Sequence, residues 1–195
     1  MTRIFAGPAR ALAMALILVG VPGSGVAQND GPAATTNVPP ARIANGTRFG
    51  QWVVSCEALA VNETACVLTQ RLARASDGAF LAEMLAFASA DGTRRYIGAR
   101  VPSGVYFPHG FAVRPAEGEA EETRFVWQSC SRDLCEALIE LTEEELEALE
   151  GAEGGLIAGY RPGLLAQPLI FTMSVEGAGA GLDALAASAG AGAAE

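Results

Sequence analysis

The sequence predicts a mainly β domain. Apolar residues alternate with polar ones in several short segments, as in Trp52, Val54 and Cys56, which fall on one face of an extended chain. Turn signals at Asp77-Gly78 and Asp91-Gly92 separate such segments at hairpin spacing. The chain has four cysteines, an even number that suits paired bridges between neighbouring strands.

The first residues have the features of a secretory signal peptide. Arg3 and Arg10 precede the apolar run Ala11–Val21, and small residues lead to Ala27. We expect a signal peptide over residues 1–27, cleaved after Ala27. The apolar run is shorter than the roughly 20 residues of a spanning helix. The prediction is therefore a periplasmic or secreted protein with no stable membrane span after cleavage.

Composition divides the remainder of the chain into three parts. Residues 28–47 are rich in Pro, Ala, Asn, Thr and Gly without apolar periodicity, which predicts a flexible linker. Residues 48–188 carry the predicted strands and form the β domain. Residues 189–195 are small Gly and Ala residues ending in a glutamate, which predicts a disordered tail.

The first cysteine pair lies in the stretch Phe49–Gln70. Two apolar segments meet there at Cys56 and Cys66, with polar residues between them, as in two neighbouring strands and their connection. Cys130 and Cys135 flank a second short connection. Four cysteines allow three connectivities. We favour the two local pairs, Cys56 with Cys66 and Cys130 with Cys135, and the other two connectivities remain open.

The segment Phe80–Ala90 fits both a helix and a strand. Leu81, Met84, Leu85 and Ala88 have helical spacing, whereas every second residue from Phe80 fits a strand equally well. Its Leu, Ala, Glu and Met content favours a helix. Turn signals on both sides have the spacing of hairpins, so we predict a strand.

The following segments also read as strands. Arg94–Val101 alternates, and short extended pieces are expected around Val105–Phe107 and Phe111–Val113. Glu117–Glu122 is an acidic loop. Phe125, Trp127 and Ser129 alternate with their neighbours before the second cysteine pair, and Cys135–Leu141 returns as a strand.

A helix interrupts the last strands. Thr142 and Glu145 form a capping box, which predicts a short helix over Glu143–Glu150 that ends at Gly151. Leu156–Tyr160 and Pro168–Val175 are the last predicted strands. A small apolar helix is expected within Gly177–Ala189.

Charge narrows the classes of partner and cofactor. The chain has 13 basic residues, all arginine, against 22 acidic ones, for a formal net charge of −9. An acidic chain without a basic stripe argues against nucleic acid as a partner. The missing lysine excludes the phosphate-binding loop motif and a pyridoxal phosphate Schiff base. We predict no cofactor.

No catalytic or metal-binding pattern stands out. His109 is the only histidine, and no G-x-S-x-G or H-E-x-x-H motif accompanies it. A zinc site would need cysteines about two to four residues apart, and a whole connection separates Cys56 from Cys66. Gly177–Gly181 lacks the third glycine of a dinucleotide fingerprint. We predict no catalytic, cofactor-binding or metal site, and a protein that is not an enzyme.

A candidate contact patch lies in the irregular segment between strands. Tyr106, Phe107, His109 and Phe111 flank prolines and glycines there, where aromatic side chains can be exposed. For any single aromatic residue in the patch, burial in the core is the competing interpretation. The aromatic residues predicted to lie in the core are Trp52, Phe87, Phe125, Trp127 and Phe171.

The ordered motifs of the chain resemble those of one known family. FGQWVVSCE, ACVLTQ, VPSGVYFPHG, FVWQSC with CEA, and SVEGAGAGLDAL occur in the order found in the invasion-associated locus B family of proteobacteria. The resemblance spans Phe49–Leu185. It implies an immunoglobulin-like β-sandwich with one or two short helices, outside the cytoplasm. The family's cysteines stand at the positions of the four cysteines here, which supports two bridges.

The resemblance is incomplete at two places. Leu134 stands where the family usually has glycine, and Phe80–Ala88 is less β-branched than the family's strand. The family is linked to host-cell invasion in some pathogens, and it extends to free-living bacteria. It provides no catalytic residues to transfer.

These observations lead to one leading hypothesis and two alternatives. The leading hypothesis is a non-enzymatic interaction protein of the bacterial envelope, exported and bound to an unidentified envelope or host protein. One alternative is a periplasmic small-ligand-binding or hydrolytic protein with a pocket near Tyr106–Phe111. The other is an envelope assembly factor, which predicts an exposed apolar edge strand.

Overall fold

A computed structural model describes residues 43–61, 63–89, 91–118 and 121–190. These residues form ten strands, one 3₁₀ turn and two α-helices. The strands are β1 Arg48–Phe49, β2 Trp52–Ala60, β3 Glu63–Ala73, β4 Phe80–Ala88, β5 Arg95–Pro102, β6 Phe111–Pro115, β7 Thr123–Cys130, β8 Leu134–Leu141, β9 Leu156–Tyr160 and β10 Leu169–Met173. The 3₁₀ turn is Phe107–His109, and the helices are α1 Glu143–Glu150 and α2 Ala178–Gly190. The predicted signal peptide, residues 28–42 and residues 191–195 lie outside the described ranges.

The strands form one antiparallel ladder in the order β1-β2-β3-β4-β5-β8-β7-β6-β9-β10. Strand β7 belongs to both layers of the fold: Val126–Cys130 pairs with β8, and Thr123–Phe125 pairs with β6. A register shift between Trp127 and Ser129 interrupts its ladder, and such irregularities bend and twist a strand. The ladder folds over one core, and the predicted mainly β sandwich with two short helices is confirmed.

Both layers contribute to the core. Trp52, Met84 and Ile97 come from the larger layer, and Phe111 and Leu156 come from the smaller one; all are at most 2 % exposed. Alternating positions along each strand produce this burial, because successive side chains point to opposite faces of a sheet. The core is therefore built between the layers.

The strand predicted within Phe80–Ala90 is confirmed as β4, which spans Phe80–Ala88. It pairs with β3 on one side and with β5 on the other, and Ala82, Met84 and Ala86 on one face are 0 % exposed. Leu81 and Leu85 on the other face are also buried, at 8 % exposure each. Burial on both faces removes the polar alternation that identifies a strand in sequence. Pairing with two neighbours outweighs the helix-forming composition of the segment.

The segment before β6 differs from the prediction. The sequence predicts an extended piece over Val105–Phe107, whereas Phe107–His109 forms a 3₁₀ turn. Pro108 lies in that turn, where its missing N–H and restricted φ are tolerated. Gly110 follows at a φ of 67°, which reverses the chain into β6. The backbone N–H of Tyr106 donates to the carbonyl of Arg161, 2.8 Å away, and ties this segment to the end of β9.

The helices close one end of the sandwich. The predicted capping box of α1 is present, with the Glu145 N–H donating to Thr142 Oγ1 at 3.2 Å and the Thr142 N–H donating to the Glu145 carboxylate at 2.8 Å. Helix α2 packs on β1–β4 through the helix residue Gly181, where an added Cβ would lie 2.5 Å from a methyl carbon of Leu68. The run Gly177–Gly181 is therefore explained by close packing.

Residues 43–47 lie against the β domain. The Ile43 N–H donates to Ser188 Oγ at 2.9 Å, and the Gly46 N–H donates to the Val54 carbonyl at 2.8 Å. The Asn45 side chain accepts from the N–H of Cys56 at 3.0 Å. These contacts join the end of the predicted linker to β2 and α2.

Candidate functional site

The four cysteines lie in two local pairs. Cys56 of β2 lies directly opposite Cys66 of β3, and Cys130 of β7 lies directly opposite Cys135 of β8. Each pair is bonded, with 4.0 Å between the two Cα atoms. Each bridge therefore closes a single hairpin, and neither bridge joins the two layers.

The predicted contact patch is divided by the fold. Phe107 and His109 are exposed and Tyr106 is half-buried, so these three side chains remain near one another at the surface. Phe111 is 0 % exposed, so its place in a surface patch was wrong. It begins β6 on the face that points into the core, and its ring lies 5.2 Å from that of Phe125. Strand register decides whether such an aromatic side chain is buried or exposed, and the local sequence does not reveal the register.

Phe107 instead borders an open groove at the surface, here called the aromatic groove. Its cavity volume is about 360 Å³. The lining residues are Phe107, Pro108, His109, Gly110, Arg124, Phe125, Val126 and Trp127. The Phe107 and Trp127 rings meet edge to face with their centroids 6.0 Å apart. Phe107 and Val126 are 54 % and 66 % exposed, so apolar surface remains in contact with water.

A second groove, the arginine groove, lies on the outer face of β6, β7, β9 and β10, with a cavity volume of about 300 Å³. Its lining residues are His109, Gly110, Ala112, Val113, Arg114, Glu122, Arg124, Ile157, Ala158, Gly159, Tyr160, Arg161, Pro168 and Ile170. Ala112 and Gly159 lie side by side on paired strands and form a low floor. Longer side chains around this floor, those of Arg114, Arg124 and Ile170 among them, make the surface concave.

The arginine groove is positively charged in an acidic protein. The Arg124 Nε donates to the Glu122 carboxylate at 2.8 Å. The Arg161 guanidinium carbon lies 5.8 Å from the centre of the Tyr106 ring, and within the described part of the chain its buried Nε has no hydrogen-bond partner. Three arginines and one glutamate line the groove. It therefore favours a negatively charged ligand or side chain.

One edge of the ladder borders this groove. Strand β10 pairs with β9 along Leu169–Met173, and its other side has no strand partner among the described residues. The strand contains no charged residue and no proline. Ile170 points outward and is 67 % exposed. The assembly-factor alternative predicts such an exposed apolar edge strand.

Sequence reasoning missed the arginine groove, and it did not identify β10 as the strand that forms the open edge. Arg114, Arg124 and Arg161 belong to three different strands or strand ends, and only the pairing of those strands brings them together. Each arginine next to a strand is unremarkable alone. The only available signal was the position of these arginines beside outward-facing strand residues.

His109 lies at the junction of the two grooves. Its ring centroid is 5.2 Å from that of Tyr106. Within the ranges that the structure describes, no group of three or more His, Cys, Asp or Glu residues is arranged to hold a metal ion. No helix in those ranges has the length and apolar character needed to cross a bilayer.

The fold and these surfaces define a disulfide-containing β-sandwich protein with two adjoining surface grooves. A family model described as "Invasion associated locus B (IalB) protein" matches residues 52–186, and the chain belongs to this family. This confirms the resemblance seen in the sequence motifs.

A solved structure has the same fold. It is described as the crystal structure of invasion associated protein b from Bartonella henselae, and it superimposes with a TM-score of 0.57 at 18% sequence identity. The match covers 72% of this chain and 94% of that chain. Comparison with curated proteins found no match.

Proposed function

We propose that this member of the IalB family is an exported, non-enzymatic interaction protein of the bacterial envelope, whose partner is an envelope or host-cell protein. The observation that carries the proposal is the aromatic groove, where Phe107 and Val126 expose apolar surface beside the partly buried Trp127. Exposed apolar surface bordered by polar residues is typical of sites that bind other proteins.

Export is part of the same proposal. The bonded pairs Cys56–Cys66 and Cys130–Cys135 suit an oxidising compartment. Residues 1–27 act as a signal peptide, residues 28–47 connect it to the domain of residues 48–188, and residues 189–195 form a tail. The mature protein is periplasmic or secreted, without a membrane span of its own.

A non-enzymatic role is supported by the composition of the grooves. The chain has one histidine and no lysine. That histidine, His109, is exposed and packs beside the Tyr106 ring. The grooves are instead lined by arginine, aromatic and aliphatic side chains, which are enriched at protein interfaces.

The export proposal is tested by mass spectrometry of the protein isolated from cells without reducing agent. We expect the chain to begin after Ala27 and to resist alkylation at all four cysteines until it is reduced. A cytoplasmic protein with an intact leader and four alkylated cysteines would contradict the proposal.

The binding proposal is tested by crosslinking in intact envelopes. We expect one reproducible crosslinked complex for the natural protein and its loss for Phe107→Ser combined with Val126→Ser. The matched control is Leu165→Ser, which removes a side chain that is 95% exposed and lies outside both grooves. An equal yield of crosslinked complex from all variants would show that the partner does not bind at the aromatic groove. The absence of any complex with the natural protein would refute the proposal.

The edge of β10 favours a second candidate function, that of an assembly factor for envelope proteins. Such a factor holds a strand of its client by adding it to an exposed sheet edge. Leu169–Met173 offers an uncharged edge of this kind. Refolding of an envelope β protein in the presence of this chain tests the idea, and an unchanged yield of folded protein would contradict it.

A further inference from the structure

Strand β10 lacks the features that normally protect a sheet edge. Natural edge strands are blunted by charged residues, proline, bulges or very short length. Leu169–Met173 has neither a charge nor a proline, and its pairing with β9 is regular over all five residues. At the opposite edge, β1 is only two residues long. The unprotected edge is therefore confined to one side of the described ladder.

The residues of β10 are at least partly exposed along most of the strand. Ile170 and Thr172 are exposed and Leu169 and Phe171 are half-buried, whereas Met173 is buried at the end of the strand. In an antiparallel pair, alternate residues direct their N–H and C=O groups away from the partner strand. An incoming strand could bond these groups on the side away from β9, where no described strand pairs with β10.

The charge beside this edge identifies the chemistry of the incoming strand. A strand added outside β10 would lie about 10 Å from β9, given about 4.8 Å between neighbouring strands. Arg161 directly follows β9 and lines the arginine groove, and its guanidinium lies near the Tyr106 ring, on the side of β9 that faces β6. Acidic side chains of the added strand therefore interact with Arg161 across β10 and β9, within about one Debye length. Arg114 and Arg124 also act through their field over about one Debye length.

We propose that the edge of β10 and the arginine groove together bind an extended acidic segment of a partner protein, which joins the sheet as an additional strand. This inference rests on the proposed interaction function and specifies the chemistry of its partner. Main-chain hydrogen bonds to β10 hold the segment, its apolar side chains cover Ile170, and its carboxylates select the arginine groove. Elsewhere the acidic surface of the protein repels the same segment.

The first test is titration with a blocked ten-residue peptide in which glutamate alternates with valine. We expect saturable binding that weakens as salt is raised. Replacing every glutamate by glutamine should weaken binding about ten-fold, since the peptide loses its attraction to the arginines of the groove. Two further peptides carry methyl groups on alternate backbone nitrogens, one along each edge of the extended peptide. The peptide methylated on the edge that faces β10 should not bind, whereas the other should. Equal binding of both methylated forms would overturn strand addition.

Variants of the protein locate the site. Arg161→Gln and Arg114→Gln should each weaken binding of the acidic peptide about three-fold, since each removes one positive charge that attracts the peptide across the sheet. The matched control is Arg132→Gln, an exposed arginine in the β7–β8 connection that changes the net charge equally and should leave affinity unchanged. If Arg161→Gln fails to fold, Arg114→Glu at an exposed position provides the charge test. Equal affinities for all variants would refute the arginine groove as the binding site.

Two further outcomes distinguish strand addition from the binding of a small anion and from contact elsewhere on the surface. Citrate or inorganic phosphate that binds as tightly as the peptide would show a small-anion site and overturn the inference. A photoreactive residue at Thr172 should crosslink the partner in intact envelopes, whereas one at Arg132 should not. A partner captured only from position 132 would refute the inference and leave the proposed function standing. No partner from any position would refute the proposed function itself.

Discussion

Tyr160 links the two layers through one hydrogen bond. Its hydroxyl donates to the carbonyl of Leu81 at 3.2 Å. Leu81 lies beside the register shift between β3 and β4, where the ladder pairs Leu72 with Ala82 and then Ala73 with Phe80. The Tyr160 hydroxyl therefore satisfies a buried carbonyl at an irregular point of the sheet.

Removing this hydroxyl should destabilise the fold. We expect Tyr160→Phe to lower the free energy of unfolding by about 1 kcal/mol, because the Leu81 carbonyl loses its partner. Burial raises the pKa of Tyr160 above its usual 10.0. The folded state therefore disfavours the ionised phenol, and stability is retained below pH 10 and lost as the pH rises through the folded pKa. Chemical denaturation should show that the difference in free energy of unfolding between the natural protein and Tyr160→Phe is smaller at pH 11 than at pH 7. An equal difference at both pH values would contradict this account.

Asp91 organises the turn between β4 and β5. Its carboxylate accepts hydrogen bonds from the Ser89 hydroxyl and from the Thr93 N–H and hydroxyl, the latter two at 3.1 and 2.8 Å. These donors favour the ionised form and lower the pKa of Asp91 from 3.8 to about 2.

Asp91→Asn should destabilise the protein most at neutral pH. Because the folded pKa is depressed, the carboxylate stabilises the fold above pH 3.8, and this contribution is lost as the pH falls toward about 2. Thermal unfolding at several pH values should show the two proteins converging across that range. Titration of the Asp91 carboxyl by NMR provides the independent check, and an ordinary pKa would refute the prediction.

At the scale of elements, α2 is held to the sheet by a residue without a side chain. An added Cβ at Gly181 would lie 2.5 Å from one Leu68 methyl and 3.2 Å from the Phe49 ring. Alanine has a better helix propensity than glycine by about 1 kcal/mol, but Leu68 is fully buried and cannot move aside easily. The clash should therefore outweigh the gain in propensity.

We expect Gly181→Ala to lower the free energy of unfolding by about 1–3 kcal/mol, as overpacking typically does. The matched control is Gly179→Ala in the same helix, where the new methyl meets the flexible end of Glu150 at 3.0 Å. That variant should be close to neutral. A stabilised Gly181→Ala protein would show that α2 does not depend on this contact.

The two bridges should contribute unequally to stability. In the loop-closure treatment, a bridge across a separation of ten residues stabilises by about 2–3 kcal/mol and one across five by about 2 kcal/mol. Replacing Cys56 and Cys66 together by alanine should therefore destabilise more than replacing Cys130 and Cys135. Equilibrium denaturation of both double variants under oxidising conditions measures the difference, and the reverse order would contradict the loop-closure account.

Elements with strong local sequence signals could be predicted from the sequence. Elements whose structure depends on contacts with other parts of the fold could not. The capping box at Thr142 marks the start of α1, and the period-2 pattern marks β9. Phe80–Ala88 was ambiguous because both of its faces are buried. The 3₁₀ turn at Phe107–His109 was missed because prolines and glycines mark a turn without giving its type.

At the scale of the whole molecule, the order of the strands is the part that sequence could not provide. Strand β5 pairs with β8, and two intervening strands are placed on the far side of β8. Local patterns define strands but do not name their partners. The arginine groove depends on this order, since β7, β6 and β9 must be neighbours to collect its charges. The aromatic residues near Tyr106 were predicted as a surface, while the charged groove beside them was not.

Both sulfur bridges enclose very short loops, with sequence separations of ten and five residues. An oxidised chain that is pulled from its ends can therefore extend to nearly its full contour length, since each enclosed residue removes only about 3.5 Å of reach. Stretching single molecules should therefore show an oxidised chain only about 50 Å shorter at full extension than the reduced chain.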